Sequence, residues 1–107
     1  MSALVDTGAD NSMCPAQITE AVGHNTLSGK EITFAGAASS GKAWEHFINI
    51  SIMKPDYKSV FHALSNVPFQ LVKRRTASPI LLGRNGFLDQ FVIHIDFPNK
   101  LLTLELP

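Results

Sequence analysis

Ala3-Leu4-Val5-Asp6-Thr7-Gly8-Ala9-Asp10 is the stretch on which the fold turns. Three apolar residues deliver an acid, a hydroxyl and a glycine in immediate succession. Ala3-Leu4-Val5 reads as the end of a buried strand, and Asp6-Thr7-Gly8-Ala9 as a tight loop after it. Two readings of the loop stand side by side. In one it is an ordinary turn, because Asp and Gly are turn residues and Thr bonds to nearby backbone. In the other, Asp6 is a general base on a rigid strand end. Thr7 then locks the loop, and Gly8 lets a second backbone approach closely.

The rest of the chain narrows the setting. Its 107 residues suit one domain, here taken as 1–107. With 45% apolar and 17% charged residues, the composition is that of a globular protein. Nine Lys and Arg balance nine Asp and Glu, so no bulk charge calls for nucleic acid or an anionic membrane. Lys73-Arg74-Arg75 reads as a solvated loop rather than a nucleic-acid patch. No apolar run is long enough to span a membrane. Cys14 is the single cysteine, which rules out an internal disulfide and fits a reducing compartment such as the cytoplasm. Its expected state is burial against a helix. His24, His46, His62 and His94 are too scattered for a metal site, so no metal is expected.

Strands dominate the pattern. Pro15 to Val22 predicts a short helix with proline in its first turn and Gly23 after its end. Glu31 to Phe34 is strand-like. Trp44, His46, Ile48, Ile50 and Ile52 alternate with Glu45, Phe47, Asn49 and Ser51 as a second strand. The small residues Gly36-Ala37-Ala38-Ser39-Ser40-Gly41 join the two, giving a hairpin with a mobile tip. Pro55-Asp56 marks a turn. Val60 to Leu64 and Phe69 to Val72 read as two separate strands, and residues 73–78 as an exposed loop. Pro79-Ile80-Leu81-Leu82 is a buried apolar run, and Asn85 to Phe91 predicts a short helix. Phe91 to Phe97 and Leu102 to Leu106 alternate on either side of a Pro98-Asn99-Lys100 turn, predicting a C-terminal hairpin. The fold class is mainly β with one or two short helices.

A second stretch bears on the first. Ile80-Leu81-Leu82-Gly83-Arg84-Asn85 is an apolar run, a glycine and a cation. Arg84 is either a solvated surface charge or the partner of Asp10, bracing the opening loop. Taken in order, A-L-V-D-T-G-A-D, a small flexible hairpin and I-L-L-G-R-N-G-F-L resemble the retroviral-type aspartic proteases, the retropepsins. The resemblance covers nearly the whole chain. The added C-terminal hairpin and the helix soon after the acidic loop are similar to the cellular, bacterial and retrotransposon branches of that family.

The resemblance implies a retropepsin-like acid protease fold: a closed, barrel-like lobe with a flap hairpin. Asp6 matches the catalytic acid, Thr7 the residue whose hydroxyl links the two catalytic loops, and Gly8 the glycine whose carbonyl meets substrate. Ala9 matches a pocket wall, and Asp10 the acid that touches substrate backbone and pairs with the Arg84 equivalent. Gly83, Arg84 and Asn85 match the supporting signature. Residues Gly36, Ala37, Ala38, Ser39, Ser40 and Gly41 correspond by position to the flap tip. Peptide hydrolysis of this kind needs one ionised and one protonated carboxyl around a water. With one D-T-G per chain, the implied unit is a homodimer that shares two copies of Asp6 and grips an extended polypeptide, without metal or cofactor. The family's preceding N-terminal strand or hairpin is expected to be missing, since five residues lie ahead of Asp6. The C-terminal hairpin is expected to complete the core sheet or the dimer sheet. The competing expectation is a non-catalytic dimerisation or binding module that keeps the protease fold.

Overall fold

Hydrogen bonding and side-chain period together set a strand-rich architecture. The computed structural model describes residues 2–35, 40–73 and 79–107. In chain order the elements are β1 (Ala3–Val5), β2 (Ser12–Pro15), α1 (Ala16–Glu20), β3 (Lys30–Ala35), β4 (Ser40–Met53), β5 (Val60–Val72), β6 (Ile80–Leu82), β7 (Val92–Asp96) and β8 (Leu101–Glu105). Single 3-10 turns fall at Thr26–Ser28 and Leu88–Gln90.

Six strands form one sheet in the order β1-β6-β2-β5-β4-β3, and β7 and β8 form a second, two-stranded sheet. The expected closed barrel is therefore corrected to an open sheet. β1 and β3 lie at opposite edges, and among the described residues neither pairs with the other or with the hairpin. The C-terminal hairpin is present, with Ile93 opposite Leu104 and Ile95 opposite Leu102. Among the described residues it does not join the core sheet.

Two chain crossings place the opening loop. β1 runs parallel to β6, with Leu4 opposite Leu81 and Val5 opposite Leu82. β2 then turns in between, antiparallel to β6 at Met13 and parallel to β5 from Ser12 to Pro15. Parallel neighbours need a crossover, so residues distant in sequence are forced side by side. The loop 6–11 and the segment after β6 are thereby laid against each other.

β5 is one strand where the sequence predicts two. Its buried positions are even numbered at Leu64, then odd numbered at Val67, Phe69 and Leu71, with Val72 also buried where the strand ends. The shift falls at Ser65-Asn66. There Ile48 and Ile50 of β4 pair with Val67 and Leu64, so β5 carries one extra residue. Asn66 absorbs it at φ 55°, with its N–H donated to Asn49 Oδ1 at 3.0 Å. A bulge of this kind breaks the period of two without ending the ladder.

The core lies on one face of the sheet. Cys14, Val67, Phe69, Leu71, Phe87 and Leu88 are buried there, with Val5, Ile18, Ile50, Ile80 and Leu82 packed against them. Phe87 is buried to 2% exposure, worth roughly 1.5–3 kcal/mol for a side chain of its size. α1 starts directly after Pro15, whose fixed φ suits the entry, and it covers part of this face through Ala16 and Thr19. Gly23, at φ 98°, follows the helix and takes the left-handed conformation that ends it.

β1 corrects a second expectation. Read as buried, it is instead an edge strand with Leu4 at 55% exposure. An apolar run reports a preference for burial, while the exposure depends on what lies beyond the edge.

Candidate active site

The opening loop is built mainly by backbone bonds. Asp6 extends the β1–β6 ladder by one rung, its N–H donating to Leu82 O at 3.0 Å. The chain then turns, with the Ala9 N–H on Asp6 O and the Gly8 N–H on Asp6 Oδ1 at 3.0 Å. One carboxylate oxygen is thus pinned by its own loop. Asp6 Oδ2 has no hydrogen-bond partner among the described residues of the chain. Asp6 is half-buried, while Thr7 and Gly8 are exposed. The Thr7 hydroxyl makes no side-chain hydrogen bond among the described residues.

The segment after β6 clamps this loop. Arg84 N–H donates to Ala9 O at 3.0 Å and Asn85 N–H to Asp10 O at 2.8 Å. Asn85 Nδ2 donates to Asn11 Oδ1 at 3.1 Å, and the Arg84 guanidinium pairs with the Asp10 carboxylate. Beneath these, Gly83 N–H donates to the hydroxyl of Ser12, which is wholly buried. Gly83 has to be glycine for steric reasons. A Cβ there would stand 2.6 Å from the Asn11 carbonyl and 3.0 Å from Ala9 O. The Arg84–Asp10 pair is more than half exposed on both sides, so water and salt weaken it.

The predicted helix over 85–91 shrinks to the 3-10 turn Leu88–Gln90. Gly86 at φ 78° interrupts the helical path, and the turn closes instead through Leu88 N–H on Gly83 O and Asp89 N–H on Arg84 O. Gly86 N–H is taken by Asp89 Oδ2 at 3.1 Å.

Alternation fixes which way the site faces. Val5, Ile80 and Leu82 pack on the core, so Leu4 and Leu81 point to the other side. Met13 is directly opposite Leu81 and shares that side. Leu4, Leu81 and Met13 form an apolar strip next to Asp6. A separate groove of about 870 Å³ opens on the core face, between α1 and the far half of β4. Ile18, Val22, Ile50 and Ile52 line it, and Asp6 does not.

β3 and β4 form the hairpin that the sequence predicts, with Ala35 opposite Ser40 and Phe34 opposite Gly41. Of its predicted tip, Ser40 and Gly41 belong to β4. Gly36, Ala37, Ala38 and Ser39 lie outside the described residues, as do residues 74–78 of the predicted basic loop.

Cys14 is buried beside α1, and burial pushes its thiol up to about 11. Of the histidines, His46 Nε2 lies 2.9 Å from Thr26 O and His94 Nε2 lies 2.6 Å from Glu105 Oε2. No group of three metal-ligating side chains occurs among the described residues. Among the described residues no helix is long and apolar enough to cross a membrane.

Sequence reasoning missed Ser12 and Asn11. Both look like loop residues after Asp10, and only the crossing of β2 beside β6 turns them into the acceptors for Gly83 and Asn85. No family model, curated protein or solved structure matches the chain.

Proposed function

We propose that this chain is a retropepsin-like aspartic endopeptidase, active as a homodimer. Its substrate is an extended polypeptide, and the dyad is Asp6 with Asp6 of the partner subunit. The observation that carries the reading is the clamp. A carboxylate at a strand end has one oxygen tied to the Gly8 N–H and the other without a partner among the described residues, and the loop that carries it is held against Gly83-Arg84-Asn85 by three backbone donors. An ordinary surface turn has no need of such support. Catalysis needs a carboxyl fixed to a fraction of an ångström.

The chemistry follows from two such acids. The ionised carboxyl takes a proton from a water, and the water oxygen attacks the scissile carbonyl carbon. The protonated carboxyl gives its proton to the carbonyl oxygen. Collapse of the tetrahedral species breaks the C–N bond once the amine nitrogen has been protonated. In this reading Asp10 is not the second acid: its carboxylate pairs with Arg84 and braces the loop. Leu4, Leu81 and Met13 give the strip beside Asp6 an apolar character suited to a substrate side chain near the scissile bond.

The C-terminal hairpin supplies the docking face in this reading. Its inner half, Ile93 and Leu104, packs on the core. Ile95, Phe97, Leu102 and Leu106 carry the same face onward, and all are exposed in the single chain. A two-stranded ribbon is marginal alone and gains from a third and fourth strand.

Asp6→Asn is the direct test. Asparagine keeps the oxygen that accepts the Gly8 N–H, so the fold should be retained while general-base capacity is lost. Unfolded protein incubated at mildly acidic pH should be cut by the native chain, spared by the variant and protected by a statine-type inhibitor. Equal cutting by both would end the enzyme reading. A dimer that binds peptides without cutting them would leave a binding module. Ile95→Glu should shift the chain to monomer in sedimentation and abolish cutting with it.

A further inference from the structure

Asn85-Gly86 is the one Asn-Gly pair in the chain, and it sits in the turn that clamps the opening loop. We propose that Asn85 is a modification site: it deamidates through a cyclic imide, and the hydrogen bonds of the 83–89 turn hold that reaction back in the folded chain. This inference does not rest on the protease reading.

The chemistry is intramolecular. The Gly86 nitrogen attacks Asn85 Cγ and loses its proton as the new C–N bond forms. The bond from Cγ to Nδ2 breaks, and ammonia leaves. Water then opens the five-membered imide at either carbonyl, leaving aspartate or isoaspartate at position 85. A residue after asparagine that has no side chain crowds this attack least. Asn85 is exposed, so water reaches the ring.

The glycine is not free to change. Gly86 has φ 78°, and a Cβ on it would lie 2.4 Å from Pro68 Cδ. The fold therefore keeps the susceptible pair. It also occupies both reacting groups. The nucleophile, Gly86 N–H, donates to Asp89 Oδ2 at 3.1 Å. A carboxylate there stabilises the protonated amide and repels the anion that must attack. The electrophile is held too, since Asn85 Nδ2 donates to Asn11 Oδ1 and Asn85 N–H donates to Asp10 O.

The product would loosen the clamp. A carboxylate at position 85 has no hydrogen to give Asn11 Oδ1 and adds charge beside Asp10. Isoaspartate also adds a backbone atom inside the turn that Leu88 N–H closes on Gly83 O. Unfolding would thus leave a covalent mark at the place the refolded chain depends on.

Peptide mapping by mass spectrometry tests this in three samples at one mildly alkaline pH and temperature: the folded chain, the same chain in urea, and folded Asp89→Ala. Deamidated and isoaspartyl forms of the peptide containing Asn85 are counted over time. The unfolded chain should react at least about fivefold faster than the folded one, the factor that one net hydrogen bond supplies. Asp89→Ala should fall between them. Equal rates in the folded and unfolded wild-type chain would overturn the restraint, whatever the variant does. No reaction in urea would overturn the site. A folded Asp89→Ala that reacts no faster than wild type would remove Asp89 from the explanation.

Discussion

Ser12→Ala is the sharpest probe of the clamp. The hydroxyl is wholly buried and accepts the Gly83 N–H at 3.0 Å. Alanine fits the space but leaves that donor unpaired. A buried donor stranded in this way costs about 1–3 kcal/mol. For a chain of this length each kcal/mol lowers Tm by roughly 4–8 °C. Arg84→Ala is the comparison. It removes a charged pair that looks stronger on paper, but both partners are more than half exposed, so the loss is about 0–1 kcal/mol. Urea melts at one fixed protein concentration, with m-values compared, measure both. The expected order is Ser12→Ala well below wild type and Arg84→Ala close to it. The reverse order would mean that the surface ion pair holds the loop and that the buried hydroxyl is incidental.

Four other outcomes follow from the structure. Gly83→Ala should cost more than Ser12→Ala, since its Cβ meets backbone at 2.6 Å; the loss should exceed about 2 kcal/mol in the same melts. Cys14, pushed up to about 11 by burial, should resist alkylation at mildly alkaline pH until the chain is unfolded. The raised value also means that the folded chain holds this proton longer than the unfolded one. Its contribution is complete below the ordinary thiol value of 9.0 and is lost as pH rises towards 11, so melts should weaken across that window. Asp56 runs the other way. Hydrogen bonds from Ser59 and Lys58 hold its carboxyl below the ordinary 3.8, so the order it gives the 54–59 turn persists above that value and is lost as pH falls through the lowered one. NMR shifts of the Lys58 and Ser59 amides, compared with Asp56→Ala, should report it.

What was legible in the sequence is what depends on local period and turn chemistry. The β3–β4 hairpin, α1 after Pro15, the turn at Pro55-Asp56 and the C-terminal hairpin all announce themselves through alternation or through residues of fixed conformation. The misreadings share a different cause. β5 looked like two strands because a bulge at Ser65-Asn66 moves the buried set from even to odd positions, and Pro68 follows close by. The helix predicted over 85–91 failed because Gly86 takes a left-handed φ, which composition does not reveal. Closure into a barrel and the burial of β1 depend on strand partners, and no window of residues contains them.

The site divides along the same line. Asp6, Gly8, Gly83, Arg84 and Asn85 stand out in sequence because their types are unusual beside apolar runs. Ser12 and Asn11 do not, although the Ser12 hydroxyl accepts the Gly83 backbone N–H and Asn11 Oδ1 accepts the Asn85 side-chain amide. Their part arises only when β2 is threaded between β5 and β6, which brings Ser12 to Gly83 across most of the chain's length. This threading also has an energetic consequence. Exposed charges such as Asp10 and Arg84 can be read as a pair from their signs, yet water takes back most of what they offer. A neutral hydroxyl under the loop gives no such signal, yet burial gives its single hydrogen bond nearly full weight. The residues that name the site and the residues that hold it are therefore partly different sets, and on the proposed protease function substitution should separate them: Asp6→Asn in activity with little change in melting, Ser12→Ala in melting first and in activity only as the loop gives way.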